Sequence, residues 1–285
     1  MPKYVPDAKT RRWLVVVPDR LLRPRDRKKK KDEKITAKNG YAYEKNCPFC
    51  LGNEKMTPPE VFRWEKSKNW KVRVVPNKYP ITDIHEVIIH SPDHQKDIAE
   101  LPKEHVEILF KVFRERFRIL SKEGQVLIFN NKGWAAGPSL AHPHSQVVVI
   151  PKQVKLDVLT LEPVKNVVFE TKGLVSYCPD FSQWPYEVWI AKKSCFLPNH
   201  QPGCLFGSLN EIKIKELAEI VQKILRQLTN LFPDLSYNFY ISPVGCWYLR
   251  IIPRLTLRAG FELGTGLHVN IVEPAEAAKK LKASK

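Results

Sequence analysis

The stretch AHPHSQVVVIP, Ala141–Pro151, sets His142, His144 and Gln146 at every second position and then runs into Val147-Val148-Val149-Ile150. A helix would scatter the three polar side chains around its circumference. In a β-strand alternate residues point the same way, so all three share one face. The apolar run behind them predicts a strand buried on both sides. Two imidazoles and an amide at the mouth of a buried strand mark a candidate site, and the rest of the chain is read around it.

Imidazole titrates near neutrality, so His144 is available as a neutral nucleophile at cellular pH. Attack on phosphorus would give a phosphoramidate that a second phosphate acceptor can break. The preceding turn, NNKGWAAGPSL, holds Gly133, Gly137 and Ser139, and such a turn brings backbone N–H groups against phosphate oxygens. Gln146 adds a constraint of its own. An amide hydrogen-bonds a phosphoryl oxygen but cannot shuttle a proton at neutral pH, which favours transfer to an acceptor over hydrolysis.

Upstream, NCPFCLGNE carries Cys47 and Cys50 in Cys-x-x-Cys spacing, followed by a glycine, the signature of a metal knuckle. Two further ligands must come from elsewhere. His94, in the SPDH turn after a strand, and His142, at the head of the decisive strand, are the candidates. Thiolate with imidazole favours zinc over calcium or magnesium. The ion would tie the knuckle to the strand that carries His144, a folding role with a catalytic consequence. His85, His90, His105, His200 and His268 read as ordinary surface or packing histidines.

Strand patterns recur around this core. The spacing of Val106, Phe110, Phe113, Phe117 and Leu120 predicts a helix from Pro102, and Leu217, Val221, Ile224, Leu228 and Leu231 stripe a second one. Ser208 and Glu211 suggest a capping box at its start. YEVWIAKKSCF echoes HEVIIHSPDH. Glu86 and Pro151 lie 65 positions apart, Glu187 and Pro253 66. This predicts two copies of a strand–helix–strand–strand unit, residues 1–155 and 156–285. Aligning Pro151 with Pro253 sets His142, His144 and Gln146 opposite Val244, Cys246 and Tyr248, so the chemistry belongs to the first copy.

The 285 residues suffice for one large domain or two ordinary ones. Hydrophobic residues at 43% and charged ones at 27% exclude a disordered chain. No apolar run approaches a membrane span and the N-terminus lacks a secretory pattern, so the expectation is a cytoplasmic protein. The six cysteines are then expected as thiols. A net charge of +17 raises the encounter rate with anionic, phosphorylated substrates. Part of it lies in RPRDRKKKKDEK, Arg23–Lys34. This run reads as a solvated loop, the rival being a zinc-dependent module that binds nucleic acid with strong salt sensitivity.

From Arg20–Pro24 (RLLRP) through CPFCLGNE, VRVVPNKYP, SPDH, NKGWAAGPSLAHPHSQ and AGFELGTG, the chain resembles the histidine-triad superfamily. The resemblance is to its galactose-1-phosphate uridylyltransferase branch, which includes the ADP-glucose phosphorylases, and it covers nearly the whole sequence in order. It implies an α+β fold: two tandem histidine-triad-like repeats in a mixed, mainly antiparallel sheet flanked by helices, with a zinc knuckle, usually as a homodimer. It implies His144 as the covalently nucleotidylated nucleophile with Gln146 on the phosphoryl group, and zinc on Cys47, Cys50, His94 and His142. Arg20, Arg23, Asn77, Asn131, Gly137 and Ser139 match positions that bind the nucleotide or its phosphates. The expected reaction is transfer of a nucleoside monophosphate, UMP by this resemblance, from a UDP-hexose to galactose 1-phosphate. The alternative acceptor is phosphate, as in an ADP-sugar or dinucleoside-polyphosphate phosphorylase. Thr256 and His268 depart from the uridylyltransferase pattern around AGFELGTG, and the second copy lacks histidines for another metal site.

Overall fold

Alternating apolar residues need a covered face, and here ten strands share one. The computed structural model describes residues 2–7, 12–22, 36–38, 40–65, 70–161, 163–197, 204–243 and 245–284. Two hairpins come first, β1 (Lys3–Pro6) with β2 (Trp13–Val16) and β3 (Thr36–Lys38) with β4 (Tyr41–Tyr43). The large sheet then takes β5 (Phe62–Trp64), β6 (Val72–Pro76), β7 (Ile84–Ile89), β8 (Gln125–Lys132) and β9 (His144–Ile150). It continues with β10 (Val167–Glu170), β11 (Leu174–Tyr177), β12 (Val188–Lys192), β13 (Tyr237–Ile241) and β14 (Tyr248–Pro253).

Their order is β10-β11-β12-β14-β13-β8-β9-β7-β6-β5, and every pairing among the described residues is antiparallel. From either edge inward the sequence of strands is the same: three consecutive strands, then the fifth, then the fourth. The two halves meet where β13 pairs with β8. The sheet therefore repeats as the sequence echo predicts, though Glu86 and Glu187 do not occupy matching faces. Glu86 points to the helices and holds Arg116 at 2.6 and 2.8 Å. Glu187 holds Arg250 on the opposite face.

Helices α1 (Lys103–Leu120) and α2 (Glu211–Leu231) cover one side of the sheet. Phe110, Phe113 and Phe117 of α1, with Leu217, Val221 and Ile224 of α2, pack on Val147, Val149, Phe239, Ile241, Leu249 and Ile251. The α2 cap is Asn210, whose side chain accepts the Lys213 N–H at 2.9 Å. Ser208, expected as the cap, belongs instead to a preceding 3-10 turn, Phe206–Ser208. Two shorter helices, α3 (Gly260–Thr265) and α4 (Pro274–Ala283), end the chain. Among the described residues no helix is long and apolar enough to cross a membrane.

The other side of the sheet separates the halves. In cross-strand register Gln146 faces Phe129, Phe129 faces Tyr240 and Tyr240 faces Arg250. His144, Gln146, Arg250 and Tyr248 thus share that side. In the second half it is filled by aromatic packing, with Tyr248 stacked on Trp189 at 4.1 Å and 18°. Tyr248, the counterpart of Gln146, plugs its half. Val244, the counterpart of His142, lies outside the described residues.

Candidate active site and metal centre

The knuckle forms because short-range backbone bonds close it. Cys50 N–H donates to the Cys47 carbonyl at 3.3 Å, Asn53 N–H to the Cys50 carbonyl at 3.0 Å, and the Asn53 side chain to the Cys47 carbonyl at 2.7 Å. The SPDH turn docks beside it through β4, where Ala42 N–H donates to Asp93 and His94 N–H to the Ala42 carbonyl. Cys47, Cys50, His94 and His142 converge, all buried, with their ligand atoms within 4.8 Å of one another.

The donor set fits a tetrahedral ion. Bond lengths of 2.3 Å to sulfur and 2.0–2.1 Å to nitrogen place a sulfur and a nitrogen about 3.6 Å apart on one ion. The Sγ–Nδ1 separations are 3.3 Å for Cys50–His94, 3.6 Å for Cys47–His142 and 3.7 Å for Cys50–His142. His142 Nε2–H donates to the Ser91 carbonyl at 2.9 Å, which leaves Nδ1 as its ligating lone pair. Cys50 is held well below the ordinary thiol range by a hydrogen bond from Cys47, aided by His142 and His94. Cys47 is pushed up as the donor of that bond and by burial.

His144 stands two residues on, 6% exposed. Its Nδ1–H donates to the carbonyl of His142 at 2.8 Å, so the basic lone pair is on Nε2. Behind it, Asn130 Nδ2 donates to the His144 carbonyl at 3.0 Å and His90 Nε2 meets Ser145 Oγ at 2.8 Å. Phe49 of the knuckle sets its ring edge-on to both His142 and His144, centroids 5.9 and 5.3 Å apart. The Cys2His2 cluster and the His144 ring are thus linked by the backbone of His142 and by contact with Phe49. The sequence did not mark Phe49, a knuckle residue with no pattern of its own.

Asn130 pairs with Ser145, so one step further Asn131 stands beside His144. Asn238 Nδ2 donates to Asn131 Oδ1 at 2.7 Å and to the Ala136 carbonyl at 3.1 Å, which fixes the glycine turn from the second half. Gly133 is required there. Its φ is +77°, and a Cβ would lie 2.9 Å from the Ser236 Cα. Gly137 (φ +76°) and Ser139 follow in the stretch that leads to β9.

Asn77 donates to Gln146 Oε1 at 3.5 Å, and Arg20 Nη1 donates to the Tyr79 carbonyl at 2.6 Å. The structure therefore brings together His144, Gln146, Asn77 and Asn131, with Arg20 one residue removed through Tyr79. Arg23 and the Lys-rich run lie outside the described residues, as does His200. His85, read as a packing histidine, instead reaches Gln146 at 3.0 Å.

The doubled antiparallel sheet carries, among the described residues, a buried Cys2His2 cluster with a further buried imidazole, His144, beside it in one half. A family profile described as the N-terminal domain of a "Domain of unknown function (DUF4931)" matches residues 26–153. ADP-glucose phosphorylase of Arabidopsis thaliana is 26% identical, over 99% of this chain and 92% of that protein. Galactose-1-phosphate uridylyltransferase of Thermotoga maritima is 25% identical over 83% of this chain and 88% of its own length. A crystal structure of the Arabidopsis phosphorylase with bound ADP-glucose superposes with a TM-score of 0.74 at 24% identity, each chain covered completely. Over most of its length the chain is thus similar both to an ADP-glucose phosphorylase and to galactose-1-phosphate uridylyltransferases.

Proposed function

We propose that this protein moves a nucleoside monophosphate from a nucleotide-sugar to a phosphate-bearing acceptor through a nucleotidyl-His144 intermediate. The observation that carries it is the tautomer: with Nδ1–H committed to the His142 carbonyl at 2.8 Å, Nε2 is the nucleophilic atom. In the first step the Nε2–phosphorus bond forms and the bond from the α-phosphorus to the bridging oxygen breaks, releasing sugar 1-phosphate. In the second, an acceptor phosphate oxygen attacks phosphorus and the nitrogen–phosphorus bond breaks. The leaving group is already a stable phosphate anion, so no general acid is needed, and an amide at Gln146 suffices. As the ring becomes cationic, the His142 carbonyl stabilises it.

Cys47, Cys50, His94 and His142 would hold zinc, which supplies a structural cross-link there. Residues 1–155 form the catalytic repeat and 156–285 the degenerate one. Arg20, Arg23, Asn77, Asn131, Gly137 and Ser139 are the proposed contacts to the nucleotide and its phosphates, with Arg20 and the turn amides offsetting phosphate charge.

The sequence reading favoured UMP transfer from UDP-glucose to galactose 1-phosphate. The likeness to an ADP-glucose phosphorylase runs through nearly the whole chain, and together with Thr256 and His268 it favours an ADP-sugar donor and inorganic phosphate. Uridylyl transfer is the second reading, supported by several uridylyltransferase relatives. Purified protein given ADP-glucose plus phosphate is expected to release glucose 1-phosphate and ADP faster than UDP-glucose plus galactose 1-phosphate exchange. The reverse ranking selects the uridylyltransferase. Acid-labile label from neither donor on the protein rejects both.

The segment around α3 leaves Leu257, Phe261, Leu263, Leu267 and Ile271 exposed, Leu263 at 76%. So many exposed apolar side chains in one short segment suit an interface, and a second copy of this chain is the proposed cover. Sedimentation is expected to give a dimer that Leu263→Asp dissociates. A monomeric wild-type protein at micromolar concentration would rule this out.

A further inference from the structure

The turn after β6 does something its sequence does not announce. Ile81 N–H donates to His85 Nδ1 at 2.9 Å, and Tyr79 N–H donates to Asn77 Oδ1 at 2.8 Å. Each backbone amide settles an ambiguity. A ring that accepts at Nδ1 carries its proton on Nε2, and an amide that accepts at Oδ1 turns Nδ2 the other way. Both groups then donate to one atom, Gln146 Oε1, at 3.0 Å from His85 and 3.5 Å from Asn77. The 3.1 Å between the two donors is what convergence on a single oxygen produces.

His85 is 4% exposed, and β7 places it on the same side of the sheet as Gln146, because Val87 faces Gln146 in register. Its own carbonyl accepts the Asn77 N–H at 2.8 Å, so the ring and the turn hold each other.

We infer that His85 is the positioning residue that fixes the polarity of Gln146, an assignment that rests on the nucleotidyl-transfer reading. With Oε1 occupied from behind, the Gln146 Nε2 amine is directed away from that pair as a hydrogen-bond donor. A donor beside His144 meets the non-bridging oxygens of the α-phosphoryl group as charge builds on them. The flipped amide would present an oxygen to those oxygens and repel them. His85 does this as a neutral ring, since a second proton on Nδ1 would oppose the Ile81 N–H. Two backbone N–H groups are thus relayed, through His85 and Asn77, into one oriented amide.

The test is a double-mutant cycle read as the rate of label transfer from nucleotide-sugar to protein. His85→Leu is expected to slow labelling about 10- to 100-fold, the range for a misplaced group. The half-saturating nucleotide-sugar concentration should move less than about threefold, because the lost interaction belongs to the transition state. His85→Gln, which keeps a donor at the Nε2 position, is expected to recover most of the rate. In a Gln146→Ala background His85→Leu should cost nothing more, because the group it positions is gone. Equal slowing in both backgrounds, or a wild-type rate in His85→Leu, overturns the inference while leaving the covalent mechanism standing. Wild-type protein that takes no label from either ADP-glucose or UDP-glucose overturns the mechanism, and the inference with it. A thermal scan of His85→Gln and His85→Leu separates loss of fold from loss of rate.

Discussion

Replacing His144 by glycine is expected to lower turnover by at least about 10⁴-fold, the scale on which loss of a covalent nucleophile acts. The physical basis is specific to this ring. Its Nδ1 proton is committed at 2.8 Å to the carbonyl of His142, a residue of the Cys2His2 cluster, and its own carbonyl is held by Asn130. No neighbouring residue can substitute, because Gln146 offers only an amide and His85 is directed at Gln146. The fold should survive. The apolar residues that fix β9, Val147 and Val149, lie on the opposite face in the core and are untouched by the change. Metal content and far-ultraviolet dichroism are therefore expected to match wild type while protein-bound label disappears. A glycine variant that still accumulates acid-labile label would mean that another group carries the nucleotide.

Much of this was legible because the site is local in sequence. AHPHSQ sets the proposed nucleophile and its amide neighbour on β9, where period-two spacing gives them one face, with a candidate metal ligand, His142, two residues ahead of the strand. Cys47 and Cys50 were legible for the same reason. Strand patterns exposed the repeat, and the observed strand order bears it out, with the first copy bearing the polar triplet and the second an aromatic stack. The Glu86–Glu187 anchor misled in detail, since a one-residue shift in register reverses the face.

What the sequence hid is long-range. His85 meets Gln146 across 61 positions through the pairing of β7 with β9, and no local pattern encodes a cross-strand partner. Phe49 touches both imidazoles only because the knuckle folds onto β9. Asn238 braces the glycine turn before β9 from the other half of the sheet across 107 positions. The α2 cap was misplaced by two residues because both Ser208 and Asn210 suit the role, and the 3-10 turn at Phe206–Ser208 decides between them.

Removing the metal should reach further than any single contact. Purified protein is expected to contain about one zinc per chain, the number that the single Cys2His2 cluster among the described residues can hold. Cys50→Ser takes away the thiolate that lies 3.3 Å from His94 and 3.7 Å from His142. It leaves a half-built buried polar cluster against Phe49 and Trp70. Structural zinc sites contribute on the order of 10 kcal/mol of apparent binding energy. Losing even a third of that should lower the unfolding midpoint by about 6 °C in a chain of this size. Activity should fall with it, because the His142 carbonyl that orients His144 is attached to a ligand. Cys178 supplies the control. It is fully buried in the apolar core, outside the Cys2His2 cluster, and burial pushes its thiol up to about 12. Cys178→Ser is expected to keep its zinc. The affinity should also weaken as pH falls, since each proton returned to a thiolate or imidazole competes with the ion. Metal analysis and a thermal scan with and without a strong chelator check both points. Protein that purifies without metal, unfolds at an unchanged temperature in chelator and still labels at His144 would show that hydrogen bonds alone hold the nucleophile.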